Sequence, residues 1–171
     1  EVSVLGYGEV TLGITSFSNK YIDLYVRDVG TTTDALHKLK KGDDVFIRGP
    51  YGHSFPMEEL KRRSIVIIGG GTGVVPLKSV IEYAEHNKRD FKNIDVYFGF
   101  RDYDNIMFKK ELKELAKGFN LNITLDKKDK KWKGNVGLIT KLIEKAEIKK
   151  GAVALLCGPP IMIKFVIDVL H

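Results

Sequence analysis

The chain has 171 residues, 43% of them apolar and 29% charged, with a formal net charge of +6. That apolar share supports a packed core in one domain or two small ones and excludes a disordered chain. No apolar run approaches the roughly 18–20 residues that a membrane span requires, and the opening Glu1-Val2-Ser3-Val4 has neither the basic region nor the apolar core of a signal peptide.

In chain order, residues 1–61 read as short strands, and a partial antiparallel β-barrel is expected there. The chain has no initiator Met, and "EVSVLGYGEV" reads like the middle of a sheet, so a segment of a longer protein is expected. "EVTLGITSF" and "YIDLYVRDV" alternate apolar and polar residues at the period of a strand. "TTTDALHKLKK" predicts a short helix with Thr33 as its N-cap and Asp34 in its first turn. "GDDVFIRGPYG" predicts a turn at Asp43-Asp44, a strand, and a second turn around Gly49 and Gly52.

From about Arg62 the pattern changes. "SIVIIGG" is a continuous β-branched run, as for a strand buried on both faces. "VPLKSVIEYAEHN" is helical, "NIDVYFGF" a buried strand, and "MFKKELKELAKG" an amphipathic helix ended by Gly118. "LNITLD" is strand-like, "VGLITKLIEKA" helical, "AVALLCGPP" a strand and turn, and "MIKFVIDVL" a helix. Strand–helix alternation at this spacing predicts a doubly wound parallel α/β domain over 62–171. There is no internal repeat and no low-complexity tract.

The stretch "GGGTGVVP", Gly69 to Pro76, follows the first buried strand. Glycine loses more backbone entropy on folding than any other residue, so four in five positions need a reason. A P-loop needs glycine at 72 and 77, where Thr72 and Leu77 stand. The dinucleotide fingerprint fits in part: Gly71-Thr72-Gly73-Val74-Val75-Pro76 ends in proline where glycine is expected. Pro76 suits the first turn of a helix, and bare amides at that helix start suit a pyrophosphate. A glycine-rich turn that merely lets a strand and helix pack tightly is equally open on the loop alone.

A second turn, Cys157-Gly158-Pro159-Pro160, also follows a strand and precedes a helix. Both turns belong at the C-terminal edge of one parallel sheet, where α/β proteins bind ligands. By itself, Cys157 fits a small buried hydrophobe as well as a site residue.

"RGPYGHSF", "GGGTGVVPLKSVIEY", "FGFRDYDNIMFKKEL", "KGNVGLIT" and "CGPPIMIKFV", in this order, resemble the ferredoxin–NADP reductase superfamily. They are most similar to the branch holding the flavoprotein subunit of anaerobic sulfite reductase, the sulfhydrogenase gamma subunit and the electron-transfer subunit of dihydroorotate dehydrogenase. The resemblance runs from about Gly8 to the end. It implies a flavin-binding barrel followed by an NAD(P)-binding α/β domain, with FAD and NAD(P)H as cofactors. It also implies a reductase subunit that passes electrons to iron–sulfur or sirohaem-type subunits of a multi-subunit complex.

The resemblance implies site residues by position. Gly70, Gly71, Thr72, Gly73, Val74 and Pro76 would hold the dinucleotide pyrophosphate. Cys157, Gly158 and Pro159 would flank the nicotinamide near the flavin, with Cys157 the catalytic candidate. Arg101 would meet the adenosine end by stacking or by pairing with a phosphate; an ordinary surface arginine is the plainer reading. Tyr25, Val26 and Arg27 would face the isoalloxazine or ribityl chain. Gly30 and Thr33 would meet the flavin pyrophosphate, beside Gly49, Pro50, Tyr51 and Gly52. The superfamily's R-x-Y-S flavin motif is replaced by Val10-Thr11-Leu12-Gly13. A flavin-free nucleotide-binding or docking subunit is therefore the alternative. Relatives also carry barrel strands ahead of the position of Glu1 and a cysteine-rich iron–sulfur tail after that of His171, neither of which lies in this segment.

The remaining candidates are weaker. Cys157 is the only cysteine, which rules out an internal disulfide and any cysteine-based zinc or iron–sulfur site in this segment and fits a reducing cytoplasm. No His, Cys and carboxylate set has metal-ligand spacing, so no metal is expected. The lysine-rich stretches 38–41 and 127–133 are interleaved with acids elsewhere and read as solvated turns, not a nucleic-acid face. His37, His53 and His86 read as surface residues, and Trp132 as a partner contact or small satellite core. Arg101 and Asp102 stand together at the second strand's end, so NAD and NADP stay open.

Overall fold

The computed structural model describes residues 1–171, which divide into two compact units, Glu1–Phe55 and Pro56–His171. The division falls ahead of the 61/62 boundary read from the sequence. Met57 and Leu60 are buried, and the Arg62 amide donates to the Asp90 carbonyl at 2.6 Å. The Arg63 carbonyl accepts from Lys92 at 3.0 Å. These contacts tie 56–63 to the second unit.

The first unit contains a small antiparallel sheet in the order β2-β1-β3: β1 (Val2–Val4), β2 (Gly8–Val10) and β3 (Phe46–Ile47). β1 and β2 form a hairpin closed through Leu5-Gly6-Tyr7, with Gly6 and Gly8 in the left-handed region. Helix α1 (Thr31–Lys38) buries Thr33 and Ala35. The strands expected in "EVTLGITSF" and "YIDLYVRDV" do not form beyond Val10. Only an isolated bridge joins Ile14 to Leu24. Alternation marks a chain suited to a half-buried sheet, but a strand needs a partner ladder. Here Ile14, Phe17, Ile22 and Tyr25 remain exposed.

The second unit is a five-stranded parallel sheet in the order β7-β6-β5-β4-β8: β4 (Ser64–Gly70), β5 (Asn93–Phe100), β6 (Asn120–Leu125), β7 (Asn135–Val136) and β8 (Val153–Cys157). β4 is next to the β8 edge, and its Ile65, Val66, Ile67 and Ile68 are each at most 1% exposed. Burying each such side chain contributes about 1.5–3 kcal/mol. Helices cover both faces. On one, Leu77 of α2 (Val74–His86) packs where Gly69 leaves room beside Phe98. On the other, Val66, Ile68 and Tyr97 pack with Ile139 and Ile143 of α4 (Ile139–Glu144) and Val166 of α5 (Pro160–Leu170). Helix α3 (Lys109–Gly118) follows β5 and ends on Gly118, with Leu112 buried. Helix α4 is shorter than the 136–146 pattern suggested. Val136 joins β7 and Gly137 turns at φ +127°, where the Thr124 hydroxyl donates to its carbonyl at 2.7 Å.

Candidate functional site

The register of β4 on β8 builds the site. Gly69 pairs with Cys157, so the two turns leave the sheet side by side at its C-terminal edge. After Gly70 the chain makes a single 3-10 turn, Gly71–Gly73, and enters α2 at Val74; Pro76 lies in the helix's first turn. Its missing N–H costs nothing there.

Each glycine of the loop has its own cause. A Cβ at Gly69 would lie 2.9 Å from Leu77 Cδ1 and 3.1 Å from the Phe98 ring. One at Gly70 would overlap the Met162 sulfur, and one at Gly73 would enter the Cys157 carbonyl. Gly71 differs: it has φ +53° and nothing within 4 Å of the position a Cβ would take. Thr72 beside it is exposed. Amides at a helix start have no intrahelical acceptor, so the Gly71–Gly73 turn offers donors to an anion in open space.

The neighbouring turn brings Cys157, Gly158 and Pro159 beside this loop, and Pro160 begins α5. Cys157 is half-buried. Burial pushes its thiol above the ordinary range, opposed by the Gly158 amide, so the thiol is neutral near pH 7. This side chain is a small, uncharged wall and not a nucleophile.

Arg101 is exposed at the end of β5, and Asp126 lies next to it, its amide donating to the Phe100 carbonyl at 2.9 Å. Burial raises the Asp126 carboxyl, against the lowering effect of Arg101 and Lys127. Asp102 is lowered, first by the Asn105 side-chain amide at 2.7 Å and then by the Asn105 backbone amide at 3.1 Å, with Arg101 adding to it. The next loop is pinned by Trp132, whose Nε1 donates to the Asn135 carbonyl at 2.8 Å while its ring fills the space beside Gly134. Trp132 is thus a loop anchor.

Within the first unit, the sequence placed the α1 cap wrongly. Gly30 is the N-cap and Thr33 the third helical residue. The buried Thr33 hydroxyl accepts from the Val29 and Gly30 amides, both at 2.9 Å, and donates to the Gly30 carbonyl at 2.8 Å. It shapes the loop and leaves Gly30 exposed. Tyr25 and Arg27 are exposed and Val26 is half-buried. His37 is exposed, as expected, and its Nε2 donates to the Val26 carbonyl at 2.9 Å, bracing this stretch. The Gly49-Pro50-Tyr51-Gly52 turn carries left-handed Gly49 and Gly52, with Tyr51 exposed. Arg48 anchors it, donating to Glu9 through Nε at 2.8 Å and Nη2 at 2.6 Å and pairing with Glu1 at 2.8 Å.

Two features escaped the sequence reading: Met162 behind the glycine loop, and Arg48 behind the "GPYG" turn. The spacing of prolines and glycines marked both turns but not what lies beneath them. A groove of about 490 Å³ lies elsewhere, at the N-terminal ends of β4 and β8, lined in part by Val66, Ile143, Ala154 and Leu170.

A family model for the oxidoreductase NAD-binding domain matches residues 67–168, the segment from β4 into α5. The chain belongs to the ferredoxin–NADP reductase superfamily. Among its superfamily relatives, the chain is similar to sulfhydrogenase 2 subunit gamma of Pyrococcus furiosus, with 34% identity over 97% of this chain and 63% of the relative. It is also similar to NADH-cytochrome b5 reductase 1 of Dictyostelium discoideum, with 30% identity over 95% of this chain and 60% of the relative. The crystal structure of the Amycolatopsis cytochrome P450 reductase GcoB superposes with a TM-score of 0.78 at 27% identity, covering 98% of this chain and 54% of that one. The chain thus spans between about half and just over three fifths of the length of the curated relatives it matches. The superfamily architecture, an antiparallel sheet followed by a parallel nucleotide-binding α/β domain, is the one observed. No helix is long and apolar enough to cross a membrane, and His, Cys, Asp and Glu nowhere gather in a group of three or more that could hold a metal ion.

Proposed function

We propose that this chain is the reductase portion of a multi-subunit redox protein, oxidising NAD(P)H by way of FAD and delivering electrons to an iron–sulfur or sirohaem-type subunit. The second unit binds the dinucleotide and the first contributes to holding the flavin. The observation that carries this is Gly71: three glycines of the loop are accounted for by packing, while this one turns left-handed into open space at the end of β4.

The residues present fit both cofactors. For NAD(P), helix-start amides at Gly71–Gly73 and the exposed Thr72 suit a pyrophosphate. For FAD, Gly30 and Gly52 have nothing within 4 Å of where a side chain would project, and Arg27 is exposed beside the start of α1. Bound FAD supplies the conversion between hydride and single-electron transfer. The chain's own residues bind and orient: the glycine loop grips pyrophosphate, the neutral Cys157 borders the nicotinamide, and Arg101 meets the adenosine end. Tyr25 to Arg27, Gly30, Thr33 and the Gly49–Gly52 turn hold the flavin. No side chain is required as acid or base. The similarity to a sulfhydrogenase gamma subunit supports the multi-subunit setting, and the single cysteine fits the cytoplasm. The finer reading, a role like that of the flavoprotein subunit of anaerobic sulfite reductase, is carried by the sequence motifs.

One observation favours a second reading. Val10-Thr11-Leu12-Gly13 stands where the superfamily has R-x-Y-S, as a flavin-free nucleotide-binding or docking subunit would allow. The visible spectrum of the full-length protein separates the two. Flavin bands that bleach on anaerobic addition of NADH or NADPH are expected. Nucleotide binding without flavin bands, even after incubation with FAD, would establish the second reading instead.

A further inference from the structure

One side chain fills the gap between the two turns of the candidate site. Met162, half-buried in the first turn of α5, reaches back across the end of the sheet. Helix side chains lean towards the N-terminus, which brings Met162 over the turn that precedes its helix. A Cβ at Gly70 would overlap its sulfur. A Cβ at Gly158 would lie 2.6 Å from its Cε and 3.2 Å from its sulfur. The same thioether therefore rests on the last residue of β4 and on the first residue after β8.

We propose that Met162 is a positioning residue that sets the spacing between the glycine loop and the Cys157–Gly158 turn, and through it the grip on the nicotinamide half of the dinucleotide. This rests on the NAD(P)H reading of the site. Gly70 has φ −129° and ψ 130°, an extended conformation open to any residue. Apart from Met162, the nearest atom to a Cβ there would be Pro159 Cδ at 3.6 Å, an ordinary contact. Met162 is thus the nearest obstacle to a side chain at position 70. Gly73 is different in kind: its Cβ would enter the Cys157–Gly158 backbone, which no side-chain truncation can move.

A double-mutant cycle tests the packing half in the full-length protein. Gly70→Ala is expected to push the Met162 thioether aside and lower the Tm by a few degrees at most, and Met162→Ala in that background to cost less than it does in the wild type. Gly73→Ala is expected to gain nothing from Met162→Ala. Additive losses at 70 and 162 would overturn the assignment. Calorimetric titration with NADH and with ADP-ribose, which lacks the nicotinamide, tests the positioning half. Met162→Ala is expected to weaken NADH about tenfold and ADP-ribose less than about threefold, with Met162→Leu restoring NADH binding. NADH affinity unchanged, or both ligands weakened equally, would overturn it. A wild-type protein that binds neither ligand would defeat the NAD(P)H reading itself, before any variant is compared.

Discussion

Gly73 stands so close to the Cys157 carbonyl that any side chain there would enter the backbone of the neighbouring turn. Gly73 lies in the turn after β4 and Cys157 ends β8, and their approach follows from the pairing of Gly69 with Cys157 across the two strands. The first consequence is a contrast within one loop. Gly73→Ala is expected to cost about 2–3 kcal/mol through overpacking. Gly71→Ala, strained only by its left-handed φ, is expected to cost about 1 kcal/mol. Nucleotide affinity should show the reverse emphasis per unit of stability lost, because Gly71 faces the open side. Denaturant unfolding and NADH titration of both variants check this; equal stability losses would contradict the packing account.

Thr33 tests the reassigned helix start. Thr33→Val removes the acceptor shared by the Val29 and Gly30 amides and is expected to cost about 1–2 kcal/mol. Thr33→Ser keeps the oxygen and should retain most of the stability. If the resulting loop also holds the flavin, Thr33→Val should release FAD more readily than Thr33→Ser, measured as flavin retained through gel filtration.

Cys157→Ala is expected to slow hydride transfer about tenfold, some 1.4 kcal/mol of barrier, with a smaller change in NADH affinity. An unchanged rate with a lowered Tm would make Cys157 a core residue only. The thiol also predicts a pH effect. Its value is raised in the folded state, so the native protein holds the proton more tightly than the unfolded chain. Stability from this group is present below the unfolded thiol's value and is lost as pH rises above about 8.5. Cys157→Ala should flatten that alkaline decline, and iodoacetamide should label the native thiol slowly near pH 7.

Arg101 lowers the carboxyls of both Asp102 and Asp126. Arg101→Gln should move both upward, read by carbon NMR of the carboxyl groups. Asn105→Ala should move Asp102 further than Arg101→Gln does, since the Asn105 side-chain hydrogen bond is the largest cause. If Arg101 meets a 2′-phosphate, Arg101→Gln will weaken NADPH well beyond NADH; equal weakening of both would assign it to adenine or the shared pyrophosphate instead.

Much of this architecture was legible in the sequence because its causes are local. The β-branched run before Gly69, the helical periods that follow, and the turn residues at Gly49–Gly52 and Cys157–Pro160 each act over a few neighbouring positions. The order of elements and the C-terminal edge as candidate site follow from them. What depends on partners far along the chain was decided only in the tertiary structure. The alternating stretches after Val10 lack a ladder to join, so they stay irregular despite their pattern. Residues 56–63 join the second unit through Asp90 and Lys92, which no local signal names. The four glycines look alike in sequence. Leu77 and Phe98 account for Gly69, Met162 for Gly70 and the Cys157 backbone for Gly73, which leaves Gly71 facing open space. That sorting exists only once β4 and β8 lie side by side, because close approach is a property of two chain segments and composition describes one.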